Sequence, residues 1–390
     1  MTDTAVEARP AVRALSSSLI REVANAAMGQ TNVLPFWFGE ADTPTPQFIR
    51  DVAAESMMKG ETFYSQNLGR PYLRQAIASY QSDLLGRPIP ADQVVAVGSG
   101  MTGLQIAMQL VLSPGDRVVA VTPLWPNISE APLILGAKVE RVSLSVNDGR
   151  WSLDVDKLIA TLTPDTRMVI INSPNNPTGW TIDDESICII LAHCRKHGIW
   201  ILADEVYQRL VYDTTQNTAP SFLRYYETGD RIISVNSFSK AWSMTGWRIG
   251  WMVIPEVLAQ DSTKLVEYNF SCIFEPTQRA ATIAIREGED EVRRLRTHLA
   301  KTRSLLVDGL SSMNRVSVPE AGGAMYAFLR IDGYDNSLEL AQRLVREVGL
   351  GLAPGAAFGH EGEGWLRWCH AVSEDSIAQG LERLTDFLRA

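Results

Sequence analysis

Apolar and polar positions along this chain follow two alternating rhythms. Short runs rich in Val and Ile, at Val94–Val97, 118–121, 138–144, 168–172, 199–203 and 232–235, are separated by stretches with helical spacing. Runs of that length predict strands, and their alternation with helices predicts βαβ units: an α/β fold with a mostly parallel sheet covered on both faces. Several runs end directly in polar residues, as in Ile171-Asn172-Ser173, Ala203-Asp204-Glu205 and Val235-Asn236-Ser237. In open α/β sheets ligands gather beyond the carboxyl ends of the strands, so chemistry is sought there first.

From about Glu291 the texture changes. Val292, Leu295, Leu299, Leu306 and Leu310 form one stripe with arginines opposite, which predicts a long amphipathic helix. Strands near 325–331, 350–353 and Trp365–Cys369, a helix after Ser337 and a closing helix carrying Ile377, Leu381, Leu384 and Leu388 complete a smaller α+β part. The first forty or so residues, with a proline-punctuated stretch at 42–46, are expected to fold back onto it. With 390 residues the chain exceeds what one core usually serves. The expected division is a large domain at 45–290 and a small one made of 1–44 and 291–390.

Composition narrows the function classes. A hydrophobic share of 45% and a charged share of 21% are those of a folded globular protein. A net charge of −9 argues against nucleic acid as a partner, since phosphate backbones select a basic surplus. No run approaches the about 18 apolar residues that cross a bilayer, so no membrane partner is expected. Residues 1–10 lack the basic-then-apolar order of a secretory leader. Cys188, Cys194, Cys272 and Cys369 make no CxxC and read as buried or partly buried thiols, which fits a reducing cytoplasm. His193 and His197 lie one helical turn apart, but the polar Cys194-Arg195-Lys196 between them and the lack of an acidic partner favour an ordinary helix, and no metal site is expected.

Four segments carry candidate chemistry. Gly98-Ser-Gly100-Met-Thr-Gly103 follows a strand and opens a helix, as a dinucleotide fingerprint does, but the next strand ends in Val121-Thr122-Pro123 without the carboxylate that would hold a ribose. What remains is a phosphate site on backbone N–H groups at a helix N-terminus. Ser237-Phe-Ser-Lys240-Ala-Trp-Ser-Met-Thr-Gly-Trp-Arg248 sets an amine beside hydroxyls and an arginine, and its neighbours Phe238, Trp242, Met244 and Trp247 would desolvate Lys240, favouring Schiff-base chemistry. Asp204, leaving a very apolar strand, either meets a cation, such as a protonated pyridine nitrogen, or caps the next helix. Ser173-Pro-Asn-Asn-Pro-Thr-Gly179 makes a rigid turn, and its place at the sheet edge favours a role in the site.

SPNNPTG, then DEVY, then SFSKxxxMTGWRIGW, in this order, resembles the class I/II aminotransferases of fold-type I, near the bacterial aspartate and aromatic group. The likeness runs from Gly39-Glu40 to the strand of Arg367. It implies a pyridoxal 5′-phosphate enzyme that moves the amino group of an L-amino acid to a 2-oxo acid by a ping-pong route. Lys240 would hold the cofactor as an aldimine and act as the base, Asp204 would pair with the pyridine nitrogen, and Asn176 and Tyr207 would face the phenolic oxygen. The phosphate would lie among Ser99, Gly100, Met101, Ser237, Ser239 and Arg248, with Trp125 stacked on the ring. Arg367 would grip the substrate carboxylate with the backbone of Gly39, Asn176 and Trp125 nearby. Tyr64 would reach the phosphate of a neighbouring subunit, which implies a homodimer.

Two departures stand out. The family's usual GEPDF is here Gly39-Glu40-Ala41-Asp42-Thr43, and Ser99-Gly100-Met101 lacks a side-chain donor at its third place. Phe36, Trp37 and Phe38 read equally as a substrate pocket or as core. A β-lyase on the same cofactor is the alternative reaction.

Overall fold

The computed structural model describes residues 7–389, so residues 1–6 of the polar start and the last residue lie outside the described part. The runs of Val and Ile form strands β1 (Val94–Val97), β2 (Arg117–Thr122), β3 (Lys138–Ser143), β4 (Thr166–Asn172), β5 (Trp200–Asp204) and β6 (Ile232–Ser237). A further strand, β7 (Gly250–Val253), completes a sheet of seven among the described residues, in the order β1-β7-β6-β5-β4-β2-β3. Neighbours from β6 to β3 are parallel, whereas β7 runs antiparallel to both β6 and β1. Sequence patterning did not single out β7, because Gly250-Trp-Met-Val follows directly on the Arg248 motif.

Both faces of the sheet are buried, as a parallel sheet requires. Val169, Ile171, Ile201 and Ala203 belong to one core, and Met168, Ile170, Leu202, Ile233 and Val235 to the other. The covering helices carry local signals at both ends. In Asp184–His197 the Asp183 side chain accepts from the Ser186 N–H at 2.6 Å, acidic residues fill the first turn, basic ones the last, and Gly198 takes the left-handed C-cap at φ 66°. Cys188 on this helix is exposed, which corrects the expectation of four sheltered thiols: its position faces solvent while Cys194 faces the core.

The helix expected from Glu291 spans Glu289–Ser311 and buries Val292, Leu299, Leu306 and Leu310. Beside it lies an antiparallel sheet ordered Val316–Ser317, Tyr326–Ile331, Trp365–Cys369, Ala353–Pro354. The strand expected near 350–353 is two short pieces, because Leu350–Gly351 pairs instead with Leu34–Pro35, in parallel. This pairing ties the beginning of the chain to its last third, and the helix Leu19–Ala26 packs against Ser337–Val348. No described helix is long and apolar enough to cross a membrane.

Candidate active site

Strand ends bring the polar residues together. Asn172 and Asp204 are register partners at the carboxyl ends of β4 and β5. Lys240 lies in the short helix Phe238–Ala241 that follows β6, where the Ser237 hydroxyl caps the turn by accepting from the Ser239 N–H at 3.1 Å. Together with Arg367 from the smaller sheet they line a cavity of about 630 Å³.

Lys240 Nζ donates to the carbonyl of Gly39 at 2.5 Å and stands 5.5 Å from the centre of the Tyr207 ring. Burial holds its amine down at about 8, against an ordinary 10.5. Arg367 adds to this, while Cys369, Glu40 and Asp204 oppose it. Asp204 is 2% exposed, and burial lifts its carboxyl from 3.8 to about 7; the N–H of Val206 and Lys240 oppose the rise and Glu205 adds to it. The side chain's hydrogen bond is a long one, 3.3 Å from the Val206 N–H. A deep carboxyl so sparsely bonded suits a cationic partner arriving in the cavity.

On one side of the cavity the helix Gly100–Val111 presents its N-terminus through Gly100 and Met101. Ser99 does not face the cavity with its hydroxyl, which caps this helix by accepting from the Thr102 N–H at 2.9 Å. A Cβ on Gly100 would press on Val206 and Ser237, at 3.1 and 3.2 Å, so backbone N–H groups come close to the cavity where a side chain would not fit. Ser237, Ser239 and Arg248 line the same side. Arg248 holds φ at 53° and donates from Nη1 to the Thr245 carbonyl at 2.7 Å. Unpaired helix N–H groups, hydroxyls and a guanidinium make a donor set suited to a phosphate.

Across the cavity, Arg367 is 3% exposed. Nη1 donates to Asn176 Oδ1 at 2.8 Å and Nη2 to the Trp37 carbonyl, while Nε has no partner among the described residues. Its acceptors are neutral, so a buried guanidinium stands ready for an anion. Its charge lies 4.5 Å from the centre of the Tyr326 ring and 4.8 Å from that of Phe358. Tyr207 and Tyr326 share a hydrogen bond of 2.6 Å between their hydroxyls. Trp125, Gly39 and Asn176 also line the cavity.

Of the expected site residues, Ser99 stands behind the lining as the helix cap and Tyr64 lies away from the cavity, 89% exposed, next to Phe63 at 83%. Of the aromatic trio, Phe36 and Trp37 are core and Phe38 lines the cavity mouth, so both readings of that segment hold in part. Among the lining residues that were not expected are Asn172, Tyr326 and Arg21. Asn172 carried the signal of a polar strand end, whereas Tyr326 and Arg21 carried none that periodicity separates from core or surface.

Compared with known proteins, the chain matches the family model for aminotransferase class I and II over residues 31–384. It is 31% identical over 381 residues to the probable N-acetyl-LL-diaminopimelate aminotransferase of Bacillus subtilis, covering 97% of this chain and 95% of that one. It is 30% identical to an aspartate aminotransferase of Pyrococcus horikoshii, covering 95% and 94%. Among solved structures, an aspartate aminotransferase from Thermotoga maritima superposes with a TM-score of 0.90 at 30% identity, covering 98% of this chain and all of that one.

Proposed function

Since this chain belongs to the class I and II aminotransferase family and is an aminotransferase of fold-type I, we propose that it works with pyridoxal 5′-phosphate held by Lys240 and accepts the carboxylate of each substrate on Arg367. The observation that carries this reading is the buried, anion-ready guanidinium of Arg367 in the same cavity as a desolvated lysine and a deep carboxyl. The residues suit the cofactor. Asp204 would pair with the ring nitrogen, Tyr207 and Asn176 would face the phenolic oxygen, and Trp125 would lie on the ring. Gly100, Met101, Ser237, Ser239 and Arg248 would hold the phosphate, with Ser99 supporting them as the helix cap.

When bound, pyridoxal phosphate supplies an aldehyde for amines and a ring that accepts negative charge from Cα. The chain's own residues do the rest. Asp204, anionic beside a cation, keeps the ring nitrogen protonated. Lys240 Nζ, which burial makes easier to deprotonate than an ordinary lysine, takes the proton that leaves the substrate Cα. Arg367 and the Gly39 backbone fix the substrate carboxylate and so the direction of the Cα–H bond. Amino acid and 2-oxo acid would occupy this site in turn.

The same reading divides the chain into 45–290 and a smaller part of 1–44 with 291–390, supported by the pairing of Leu34 with Leu350. It also makes the enzyme a cytoplasmic homodimer in which Tyr64 serves the neighbouring site. The exposed Met57, Met58, Phe63, Tyr64 and Tyr268 support the dimer, because apolar surface of this kind marks an interface. A panel of L-amino acids tested against pyruvate and 2-oxoglutarate checks the reaction. Production of 2-oxo acid that stops after one equivalent without an acceptor is the expected result. Continuous release of pyruvate and thiol from cysteine conjugates, with no acceptor present, would replace transamination by β-elimination.

A further inference from the structure

Tyr326 is used by none of these roles, yet it touches most of them. It opens the strand Tyr326–Ile331, opposite Cys369 and diagonal to Arg367 on the neighbouring strand Trp365–Cys369. Residues so placed on one sheet face meet, and the guanidinium of Arg367 lies 4.5 Å from the centre of the Tyr326 ring. The other end of the ring reaches across the cavity wall, where its hydroxyl meets that of Tyr207 at 2.6 Å. A Cβ on Gly39 would fall 2.0 Å from that hydroxyl, so the Gly39 backbone is drawn against it too.

A phenol has one proton to give and can also accept. In the Tyr207–Tyr326 pair only one hydroxyl donates, and the choice decides what Tyr207 shows to the cavity. If Tyr326 donates, the proton of Tyr207 is free to point inward; if Tyr207 donates, the cavity faces a lone pair. Burial pushes Tyr326 up to about 12, opposed by Arg367 over its ring, and pushes Tyr207 well above its ordinary value. Both therefore keep their protons near neutrality, and the guanidinium lying over the Tyr326 ring draws charge from its phenol, which makes Tyr326 the better donor of the pair.

We propose that Tyr326 is a positioning residue: its hydroxyl donates to Tyr207 and so turns the Tyr207 proton toward the bound cofactor, while its ring face holds Arg367 ready for a carboxylate. The proposal rests on the reading that Tyr207 faces the cofactor's phenolic oxygen. A donor aimed at that oxygen favours its ionised form and keeps the pH midpoint of the cofactor absorbance low.

The test uses the cofactor-loaded protein and two measurements other than turnover: the pH midpoint of the bound-cofactor absorbance, and the affinity for succinate as an unreactive carboxylate. Tyr207→Phe is expected to raise the midpoint by roughly one unit, a lost hydrogen bond's worth. Tyr326→Phe raises it by roughly half as much with succinate affinity unchanged, since the ring remains. The double variant goes no higher than Tyr207→Phe alone, because Tyr326 acts through Tyr207. Tyr326→Leu weakens succinate about fivefold through loss of the ring face. A Tyr326→Phe midpoint that stays put while Tyr207→Phe moves it, or two shifts that add, overturns the proposal and leaves the reading of Tyr207 intact. A midpoint untouched by Tyr207→Phe removes that reading and the proposal together. Thermal melting of each variant identifies any that fails to fold, and the midpoint of the nearly isosteric Tyr326→Phe decides the matter in that case.

Discussion

Lys240 and Gly39 meet at the cavity floor, the ammonium of one donating 2.5 Å to the carbonyl of the other across 201 residues of chain. The contact occupies an amine that burial has already made easy to deprotonate, and it brings the N-terminal segment to the reacting atom.

The first prediction concerns capture of the cofactor. With its amine at about 8, Lys240 is protonated and unreactive in mild acid. The rate at which cofactor-free protein takes up pyridoxal phosphate should fall roughly tenfold for each pH unit below that point and level off above it. Stopped-flow absorbance measures this, and a rate independent of pH between 6 and 9 would contradict the placement of Lys240. Lys240→Ala should lose both the absorbance band and at least about 10³-fold in turnover.

Asp204 trades stability for binding. Its folded pKa of about 7 lies above the ordinary 3.8. Its protonated form therefore stabilises the empty protein in acid, and that contribution is lost as pH rises through 7. Asp204→Asn cannot ionise, so at pH 8 the cofactor-free variant should melt about 1–3 °C above the parent. Pyridoxal phosphate should then raise its melting temperature less than it raises the parent's. Equal melting and an equal gain from cofactor would exclude the carboxylate as the ring's partner.

Gly39 is fixed by crowding rather than by backbone conformation. Its added Cβ would overlap the Tyr326 hydroxyl, at 2.0 Å, with the ring carbon behind at 3.0 Å. Gly39→Ala should cost about tenfold or more in kcat/KM, on the scale of small misplacements in a reacting geometry. Adding Tyr326→Phe should recover part of the loss. A double variant worse than the sum of its parts would place the conflict elsewhere.

The proposed sharing of Tyr64 between subunits is open to a complementation test. On that proposal Lys240→Ala and Tyr64→Ala damage different chains of one composite site, so a mixed dimer would keep one site with both residues native. Unfolding, mixing and refolding the two variants should restore roughly a quarter of parental activity, the share expected from random pairing in a two-fold dimer. Activity no greater than the sum of the separate variants would assign Tyr64 to the surface alone.

Legibility in the sequence followed the range of the interactions. Strands β1 to β6 and the helix Glu289–Ser311 were visible because burial on one or both faces imposes a local period. Strand β7 was not, since its antiparallel insertion between β6 and β1 is a fact of topology and its residues adjoin a motif that reads as chemistry. Lys240, Asp204 and Asn176 stood out as polar residues at strand ends. Tyr326 did not: as the first residue of Tyr-Ala-Phe-Leu-Arg-Ile it looks like core, and only the register with Trp365–Cys369 brings it to Arg367. Cys188 misled because the pattern of an amphipathic helix assigns faces less sharply at its flank than along its apolar stripe.

The cavity draws on the chain from Ser18 to Arg367. During synthesis, Lys240 and the phosphate-binding helix leave the ribosome well before the strand that carries the guanidinium. A product cut short in the last part of the message would have the amine without the wall that orients substrates, and an aldehyde held there would be open to any passing nucleophile.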